Sequence, residues 1–519
     1  MSEGAGGTAR RGAGLRRELG VLALTAGAVC TVIGGGINVV CVEIQDKVPG
    51  LGNLVPWIFV IGAVPAVFTA LAYAALASAM PAAGGGYIYA SRGFHPLVGF
   101  MATFSKWFGL TSACGVIAYV DVTLLKAAAL YANLQPAAQF LETDLARLGL
   151  PLLMIWVFWL INIVGIRTYG FTVILLMFLM MLGGVVVIFT GFMHSPEDYA
   201  AAVAQRSGGA ESVFDVAARF TGGPVGLGEI AAAMVMLFFA YIGFASISQA
   251  GGEARDPQRS MPRAFVLAII IIVGYYVLFS AAVYHAVPWQ YIAVRAQESA
   301  QEVSVPELLG VLMPGWLAVF VALMAAVALA NDIPPMLMAV SRLFFSWTRD
   351  GIFPRALSEV NRRFATPHWA LTISAALSTF VIVECHFHGF FLGIDTTVTA
   401  LLFTYLLVAA ALLTLPRRNP HIYQNVAFLR SRPAQIFVGI TAVLTVGAMF
   451  TVQIVRDIRG LVAGEVSPSH SPTVFWAITM LVGAIIFSVM WYSQKARGID
   501  PEEPFRTVPQ DSEPEGMVI

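Results

Sequence analysis

Residues 31–40 read TVIGGGINVV and place three consecutive glycines, Gly34, Gly35 and Gly36, inside the first long apolar run of the chain. Each interior glycine costs a helix about 1 kcal/mol relative to alanine. The hydrocarbon core of a bilayer holds no water to satisfy the backbone groups that a broken helix frees. The break therefore indicates either close packing of helices through small residues or a binding site built from backbone N–H and C=O groups.

The composition is that of a multi-pass integral membrane protein built from α-helices. The chain has 519 residues, of which 58% are hydrophobic and 12% are charged, whereas a soluble domain carries about 25% charged residues. The 30 basic and 30 acidic residues balance, which argues against a nucleic-acid partner. The four cysteines have no metal-binding or redox spacing. The lipid bilayer is the partner that composition indicates, and no obligate protein partner is evident.

Twelve apolar runs are long enough, at about 20 residues, to cross the hydrocarbon as helices. They lie near 21–45, 54–80, 97–131, 150–165, 169–193, 229–250, 263–287, 316–346, 368–384, 390–415, 434–456 and 473–493. Most of the 30 Lys and Arg fall in the N-terminal segment, in the loops that follow even-numbered runs and in the C-terminal segment. This bias predicts that both termini are cytoplasmic, with the chain in the cell membrane.

The sixth apolar run carries a second glycine break, in YIGFA at residues 241–245. Gly243 lies about as far from the start of the sixth run as the three glycines lie from the start of the first. Interruptions at matching depths in two halves indicate a transporter with an inverted repeat and a binding site at the breaks. At such a break, free N–H groups attract a carboxylate, and free C=O groups attract an ammonium group or a metal cation.

These features divide the chain into six segments. They are a cytoplasmic tail (1–17), a first five-helix repeat (18–194), an external loop (195–228), a second, inverted five-helix repeat (229–415), helices 11 and 12 (416–494) and a cytoplasmic tail (495–519). The last segment is expected to be disordered because it is rich in proline and charge.

Several motifs in order carry a resemblance to a known family. They are VIGGGI (32–37), PAAGGGYIYASRGFHPLVGF (81–100), FFAYIGFAS (238–246), EARDPQRSMPRA (253–264), SRLFFSWTRDGIFPRAL (341–357) and NRRFATPHWA (361–370). Across roughly residues 17–415 the chain resembles the amino acid–polyamine–organocation (APC) superfamily, and within it the amino acid permeases. The resemblance implies a LeuT-like fold of twelve transmembrane helices, with helices 1 and 6 broken and a 5+5 inverted repeat. It implies secondary active transport, by symport or exchange, of an amino acid or related small amine, and no enzyme activity.

The resemblance also implies where the substrate binds. The amides of the first break, Gly34, Gly35 and Gly36, would bind its carboxylate. Backbone carbonyls at both breaks would hold its amino group, namely those of Val32, Ile33, Phe239, Ala240 and Ile242. Phe239 would also form an aromatic lid, and Gly243 would open the second break.

The chain departs from the family pattern at three places. Asn38 replaces the usual Phe after the first break and puts an amide near the site. Ala245 stands where many members have an acid, and the fifth apolar run lacks the lysine that many members carry. Because both missing groups handle ions or protons in those members, the mode of coupling is open.

Three polar residues inside the predicted spans are candidates for ion coupling, since an intramembrane charge is costly unless it is paired or hydrated. Lys106 lies near mid-depth in the third run, and Asn331 and Asp332 lie near the middle of the eighth. Asp332 is interpreted as a sodium ligand, a proton carrier or the counter-charge of Lys106, and the two charges are expected to interact directly or through the substrate. Sodium is favoured over protons as the coupling ion, and no other cofactor or metal site is expected. Asp121 and Lys126 are interpreted as snorkelling to the surface.

Other functions stay open from the residues alone. A transporter-like sensor, or an uncoupled facilitator for another small organic solute, would share the same fold. A membrane enzyme has little support because the spans hold no nucleophile–base set, and no Walker A motif points to ATP.

Overall fold

The computed structural model describes residues 15–34, 36–209, 212–223, 225–298, 303–361, 363–388, 393–464 and 466–509. Within these residues the chain is helical, and strand-like pairing is limited to two isolated bridges. The first helices are α1 (Val21–Cys30), α2 (Ile37–Lys47), α3 (Val55–Ala79), α4 (Gly85–Gly93), α5 (Pro96–Tyr131), α6 (Gln135–Glu142), α7 (Asp144–Val164), α8 (Ile166–Met193), α9 (Pro196–Arg206), α10 (Val213–Ala217) and α11 (Leu227–Phe238). The later helices are α12 (Pro257–Ala286), α13 (Trp289–Glu298), α14 (Val305–Leu309), α15 (Gly315–Ala330), α16 (Ile333–Arg349), α17 (His368–His388), α18 (Gly393–Arg418), α19 (Pro420–Tyr423), α20 (Arg432–Val462) and α21 (Pro472–Ala496).

Ten helical stretches of the described chain are long and apolar enough to cross a membrane, as a multi-pass membrane protein requires. Two further apolar helices are shorter, α1 with 10 residues and α11 with 12 residues. Both end at the predicted glycine breaks. Residues 31–36 separate α1 from α2, and α11 gives way to short 3-10 helices at Phe239–Tyr241 and Phe244–Gln249.

The eighth apolar run, which was predicted as one span over 316–346, is one spanning stretch from Gly315 to Arg349 with a local interruption of its α-helical hydrogen bonding. The run divides into α15 and α16 on either side of Asn331 and Asp332. Pro334 and Pro335 follow in the first turn of α16. Because proline has no N–H and disfavours a helical conformation in the residue before it, the hydrogen-bond ladder is released here. Asp332 consequently occupies the N-cap position of α16.

The long helix α5 lies at the centre of the bundle and packs against α15, α16, α17, α18 and α21. Glycines on α5 allow these close approaches. A Cβ on Gly109 would lie 2.9 Å from the Cα of Thr397 in α18, and a Cβ on Gly115 would lie 2.6 Å from the carbonyl oxygen of Ser378 in α17. Small residues serve this purpose in membranes because apolar surface alone does not drive helices together in lipid.

Two buried ion pairs close one end of the bundle, which we call the ion-pair face. Arg342 in α16 donates to both carboxylate oxygens of Glu253, at 3.0 Å from Nε and 2.6 Å from Nη2. Arg92 in α4 donates to both carboxylate oxygens of Asp350, at 2.6 and 2.8 Å. All four side chains are at most 3% exposed. Bidentate, charge-assisted bonds of this kind are strong and geometrically specific.

These ion pairs join motifs that lie far apart in the sequence. Glu253 begins the EARDPQRSMPRA segment and pairs with Arg342 of the SRLFFSWTRDG segment. Asp350 of the SRLFFSWTRDG segment pairs with Arg92 of the glycine-rich segment. The main-chain carbonyl of Glu253 also accepts the N–H of Leu19, at 2.9 Å, immediately before α1. The ion-pair face therefore ties α16, the chain after the second break and the start of α1 together.

Part of the C-terminal segment is folded against this face, whereas the whole segment from residue 495 was expected to be disordered. It forms a 3-10 helix at Glu503–Arg506. The guanidinium of Arg92 donates to the carbonyl of Pro504 at 2.9 Å and to that of Thr507 at 3.2 Å. These backbone contacts order a stretch that composition alone predicts to be disordered. Residues 510–519 lie outside the described residues.

Candidate functional site

A cavity of about 170 Å³ lies where the two glycine breaks meet α5, α12, the junction of α15 and α16, and α18. Its walls are mainly apolar, and we call it the central cavity. Seven of the predicted site residues line it, namely Val32, Gly34, Gly36, Ala240, Ile242, Gly243 and Asp332. Others are buried but do not line it, namely Ile33, Asn38, Lys106 and Asn331. Gly35 and the side chain of Phe239 lie outside the described residues.

The two breaks are in direct contact. Gly243 has a φ of 131°, and a Cβ on it would collide with the carbonyl oxygen of Thr31. Glycine is therefore needed there for both the backbone conformation and the close approach. The hydroxyl of Tyr276 bridges the breaks, because it shares its one proton between the carbonyl oxygens of Val32 at 2.6 Å and Ala240 at 2.9 Å. Two carbonyls that were predicted to hold an amino group thus have a protein donor, and each keeps a second lone pair.

The carboxylate of Asp332 lies directly beside the first break. A Cβ on Gly34 would be 3.0 Å from Cγ of Asp332. Asp332 is 8% exposed, and its Oδ1 atom is buried without a hydrogen-bond partner. No basic side chain of the described residues neutralises it. An ionised carboxylate here repels a second carboxylate at Gly34 and attracts a cation or a proton.

The direct ion pair between Lys106 and Asp332 is not formed. The ammonium of Lys106 and the Oδ1 atom of Asp332 are both buried and have no hydrogen-bond partner among the described residues. The reason is the position of Lys106 along α5. Leu110 lines the central cavity, whereas Lys106 lies one helical turn nearer the ion-pair face. The interpretation of Asp332 as a counter-charge in contact with Lys106 is therefore wrong.

Replacing the unpaired Lys106 by methionine is expected to raise the melting temperature of the protein. A lysine near the bilayer centre costs about 2.5–3.5 kcal/mol, and methionine is a flexible apolar side chain that adapts to irregular space. Because Lys106 and Asp332 are not in contact, Lys106→Met is expected to increase the free energy of unfolding equally in the wild-type and Asp332→Asn proteins. A double-mutant cycle measures this, and a coupling above about 0.5 kcal/mol would contradict the independence of the two groups.

Asp121 is a buried charge that the sequence interpretation misplaced. It is 2% exposed, and its Oδ1 atom has no hydrogen-bond partner. Ala113 and Ile117 line the central cavity, and Asp121 continues the same stripe of α5 at the next i+4 position. Its carboxylate also acts electrostatically on that of Asp332. The helical periodicity of α5 is the signal that would have found it. Lys126, by contrast, does reach the surface.

The central cavity adjoins a second cavity toward the other end of the bundle. This vestibule cavity has a volume of about 330 Å³ and shares Val40, Ile242 and Val398 with the central cavity. Charged side chains from α2 and α20, including Glu43 and Arg456, lie in its wall. Since the ion pairs close the opposite end, this conformation directs the central cavity toward the vestibule.

Comparisons with known proteins find similarity to membrane transporters, and in particular to amino acid permeases. A model of the amino acid permease family matches residues 19–489. An uncharacterized transporter of Mycobacterium tuberculosis is 27% identical over 405 residues, which cover 77% of this chain and 81% of the relative. The aspartate-proton symporter of Bacillus subtilis is 26% identical over 330 residues, covering 62% of this chain and 59% of the relative. The branched-chain amino acid permease BcaP of Bacillus subtilis is 28% identical over 165 residues, covering 31% of this chain and 34% of the relative.

Proposed function

Because the chain belongs to the amino acid permease family, we propose that it is a secondary active transporter, a symporter or exchanger, that moves an amino acid or related small amine by alternating access. The observation that carries the proposal is the central cavity, which lies between two helix breaks, is shut off by the ion-pair face and adjoins the vestibule cavity. The family and the relatives are transporters and not enzymes.

In this proposal the bundle has twelve spans. α1 with α2 forms one broken span, and α11 with the 3-10 helices after it forms the other. Together with the ten long apolar stretches they make two five-helix halves in a LeuT-like inverted repeat, with α20 and α21 outside it. The distribution of Lys and Arg supports a cytoplasmic ion-pair face and a vestibule cavity that opens to the outside of the cell membrane.

The size and chemistry of the central cavity support a small substrate with an apolar side chain. Its volume of about 170 Å³ is close to the roughly 150 Å³ of an engineered protein cavity that binds benzene. Apolar side chains such as Leu110 form most of its wall. In the proposed complex, the N–H groups of the break at Gly34 and Gly36 bind the substrate carboxylate. The remaining lone pairs of the Val32 and Ala240 carbonyls bind its amino group.

Asp332 supplies the coupling in this proposal. While it is ionised, its carboxylate repels a substrate carboxylate beside Gly34. Two unit charges 4 Å apart repel by about 4 kcal/mol at an effective dielectric constant of about 20. A sodium ion or a proton on Asp332 removes this repulsion, so the ion and the substrate raise each other's affinity by the same factor. That reciprocity is the thermodynamic requirement for symport.

We propose sodium as the coupling ion. The Oδ1 atoms of Asp332 and Asn331 are both buried without hydrogen-bond partners, and carboxylate and amide oxygens are ligands that hard cations prefer. A sodium ion held by these oxygens would supply the positive charge that allows a carboxylate to bind beside Asp332. One relative is named as a proton symporter, so the test also measures proton coupling.

The first experiment identifies the substrate. Purified protein is heated with each common amino acid and with small amines, in sodium chloride or in choline chloride. A ligand at 100 times its Kd stabilises a protein by about 2.7 kcal/mol, which raises the melting temperature measurably. A shift with one class of amino acid that is larger in sodium supports the proposal, whereas no shift with any amino acid or amine contradicts it.

The second experiment tests Asp332 with the ligand so identified. Concentrative uptake into proteoliposomes under an inward sodium gradient is expected to fall at least about tenfold in Asp332→Asn, within the usual range of coupling free energies. Asparagine keeps the shape of the side chain but removes its charge. Counterflow without an ion gradient is expected to persist. Glu43→Gln, which removes a carboxylate from the vestibule cavity instead, is the matched control and should keep the gradient dependence.

Three results would overturn parts of this proposal. Gradient-driven uptake by Asp332→Asn would remove Asp332 from coupling. Undiminished wild-type uptake in choline under a proton gradient alone would assign the coupling to protons. Wild-type uptake that responds to neither gradient, and that does not exchange, would identify an uncoupled facilitator.

A further inference from the structure

A cavity of about 560 Å³ opens at the ion-pair face, away from the central cavity. It lies between the junction of α4 and α5, the ends of α18 and α21, and the C-terminal 3-10 helix. We call it the headgroup cavity. Its wall carries three guanidinium groups, from Arg417, Arg418 and Arg506, and the imidazole of His95. None of these groups takes part in the ion pairs of the ion-pair face.

The headgroup cavity has an excess of positive charge. Arg506 is paired with Glu502 at 3.3 Å. Arg417 and Arg418 are exposed, and neither guanidinium has a hydrogen-bond or ion-pair partner in the described part of the chain. His95 immediately precedes α5, so the positive end of a 36-residue helix adds to the field. Unpaired arginines beside a helix N-terminus favour an anion with several oxygen acceptors, such as a phosphate.

The positive charge of the cavity wall also affects the pKa of His95. Partial burial, and then the positive charge of nearby Arg418, lower the pKa of His95, and Glu502 opposes them. Burial and the arginine charge therefore both disfavour the protonated imidazole.

A shallow, open apolar groove on α21 continues from the headgroup cavity. The two share Ser488 and Tyr492, and Ile485 and Val489 line the groove. Ile485 is 56% exposed and Val489 is 64% exposed. α21 is one of the helices apolar enough to span the membrane, so side chains exposed on it contact lipid. The groove is consequently a place for a hydrocarbon chain, next to a place for an anion.

We propose that the headgroup cavity binds the phosphate of an anionic phospholipid from the adjoining leaflet, with one acyl chain along the groove of α21. Arg417 and Arg418 contact the phosphate, and Trp491 and Tyr492 lie at the boundary between the polar and apolar parts, the position that these residues favour in membranes. Basic pockets between membrane helices bind anionic headgroups in this way. The 3-10 helix at Glu503–Arg506 forms one wall of the site, so the bound lipid also contacts the C-terminal segment.

The test uses the full-length protein in nanodiscs of phosphatidylcholine, titrated with dioctanoyl phosphatidylglycerol. Native mass spectrometry is expected to show one retained phosphatidylglycerol, and the melting temperature is expected to rise with its concentration. Arg417→Ala/Arg418→Ala is expected to weaken this binding at least about tenfold, because it removes two donors of charge-assisted hydrogen bonds. The matched control is Lys495→Ala/Arg497→Ala, which removes the same charge from exposed positions outside the cavity and should leave the titration unchanged.

A second arm distinguishes a lipid from a free anion. sn-Glycerol 3-phosphate carries the phosphate without acyl chains, and it is expected to cause no shift over the range in which the lipid saturates. An equal shift with glycerol phosphate would overturn the lipid assignment. An unchanged titration in Arg417→Ala/Arg418→Ala, or an equal loss in the control pair, would overturn the site itself.

Discussion

Gly34→Ala is expected to lower uptake strongly, and more than Gly36→Ala, which keeps its N–H and adds a Cβ that meets no protein atom. A Cβ on Gly34 would lie 3.0 Å from Cγ of Asp332 and closer still to a carboxylate oxygen, whereas a Cβ on Gly36 would meet nothing within 4 Å. Asp332 is the N-cap of α16 and is buried, so the methyl group must displace either the carboxylate or the break. We expect uptake to fall at least about tenfold, which corresponds to about 1.4 kcal/mol of lost binding.

The two alanine variants form a matched pair. Both glycines lie in the same break and both line the central cavity, so the general effect of replacing glycine by alanine is similar in each. Initial rates of uptake into proteoliposomes, together with melting temperatures, separate loss of transport from loss of folding. If Gly34→Ala transports as fast as Gly36→Ala, the contact between Gly34 and Asp332 has no part in transport.

Breaking the Arg342–Glu253 pair is expected to cause a large loss of stability. Both side chains are 1% exposed and are joined by two hydrogen bonds. Removing one partner of a buried pair leaves an uncompensated charge and costs about 3–5 kcal/mol. Arg342→Met and Glu253→Gln are therefore each expected to lower the melting temperature strongly, and the double variant is expected to recover much of the loss.

An exposed pair supplies the control for this cycle. Lys126 and Glu142 form an ion pair in which the side chains are 34% and 57% exposed. Such pairs contribute about 0–1 kcal/mol, so Lys126→Met should change the melting temperature little. A loss in Lys126→Met as large as that in Arg342→Met, or strict additivity of Arg342→Met and Glu253→Gln, would contradict the structural role assigned to the buried pair.

The glycine breaks could be predicted from the sequence because each is a local feature of one apolar run. α1 ends at Cys30, shortly before Gly34, and α11 ends at Phe238, shortly before Gly243. The partners of the charged motifs could not be predicted in this way. Arg342 and Glu253 are 89 residues apart, and only the packing of α16 against the chain after the second break brings them together.

Hydropathy alone could not predict the burial of individual charges. In a membrane protein, side chains that face lipid and side chains that face the protein interior are equally apolar. Phe178 on α8 is 58% exposed and Leu110 on α5 is 1% exposed, yet hydropathy treats both as membrane residues. The direction in which Lys106 points was therefore hidden, whereas the burial of Asp121 could be predicted only from the helical periodicity of α5. Hydrogen bonds to backbone carbonyls could not be predicted for a different reason. Composition does not show that the carbonyl of Pro504 accepts a hydrogen bond from Arg92.

The contact between Arg92 and the C-terminal segment sets an order for the biogenesis of this transporter. The carbonyl of Pro504 that accepts from Arg92 is encoded 412 residues later. At about 5–20 residues per second, a ribosome needs roughly 20–80 s to add that length. During this interval Arg92 has been made, but its last acceptors do not exist. The two ion pairs can therefore form once Asp350 has been made, whereas the contacts of Arg92 with the C-terminal segment can form only after translation of the last helix.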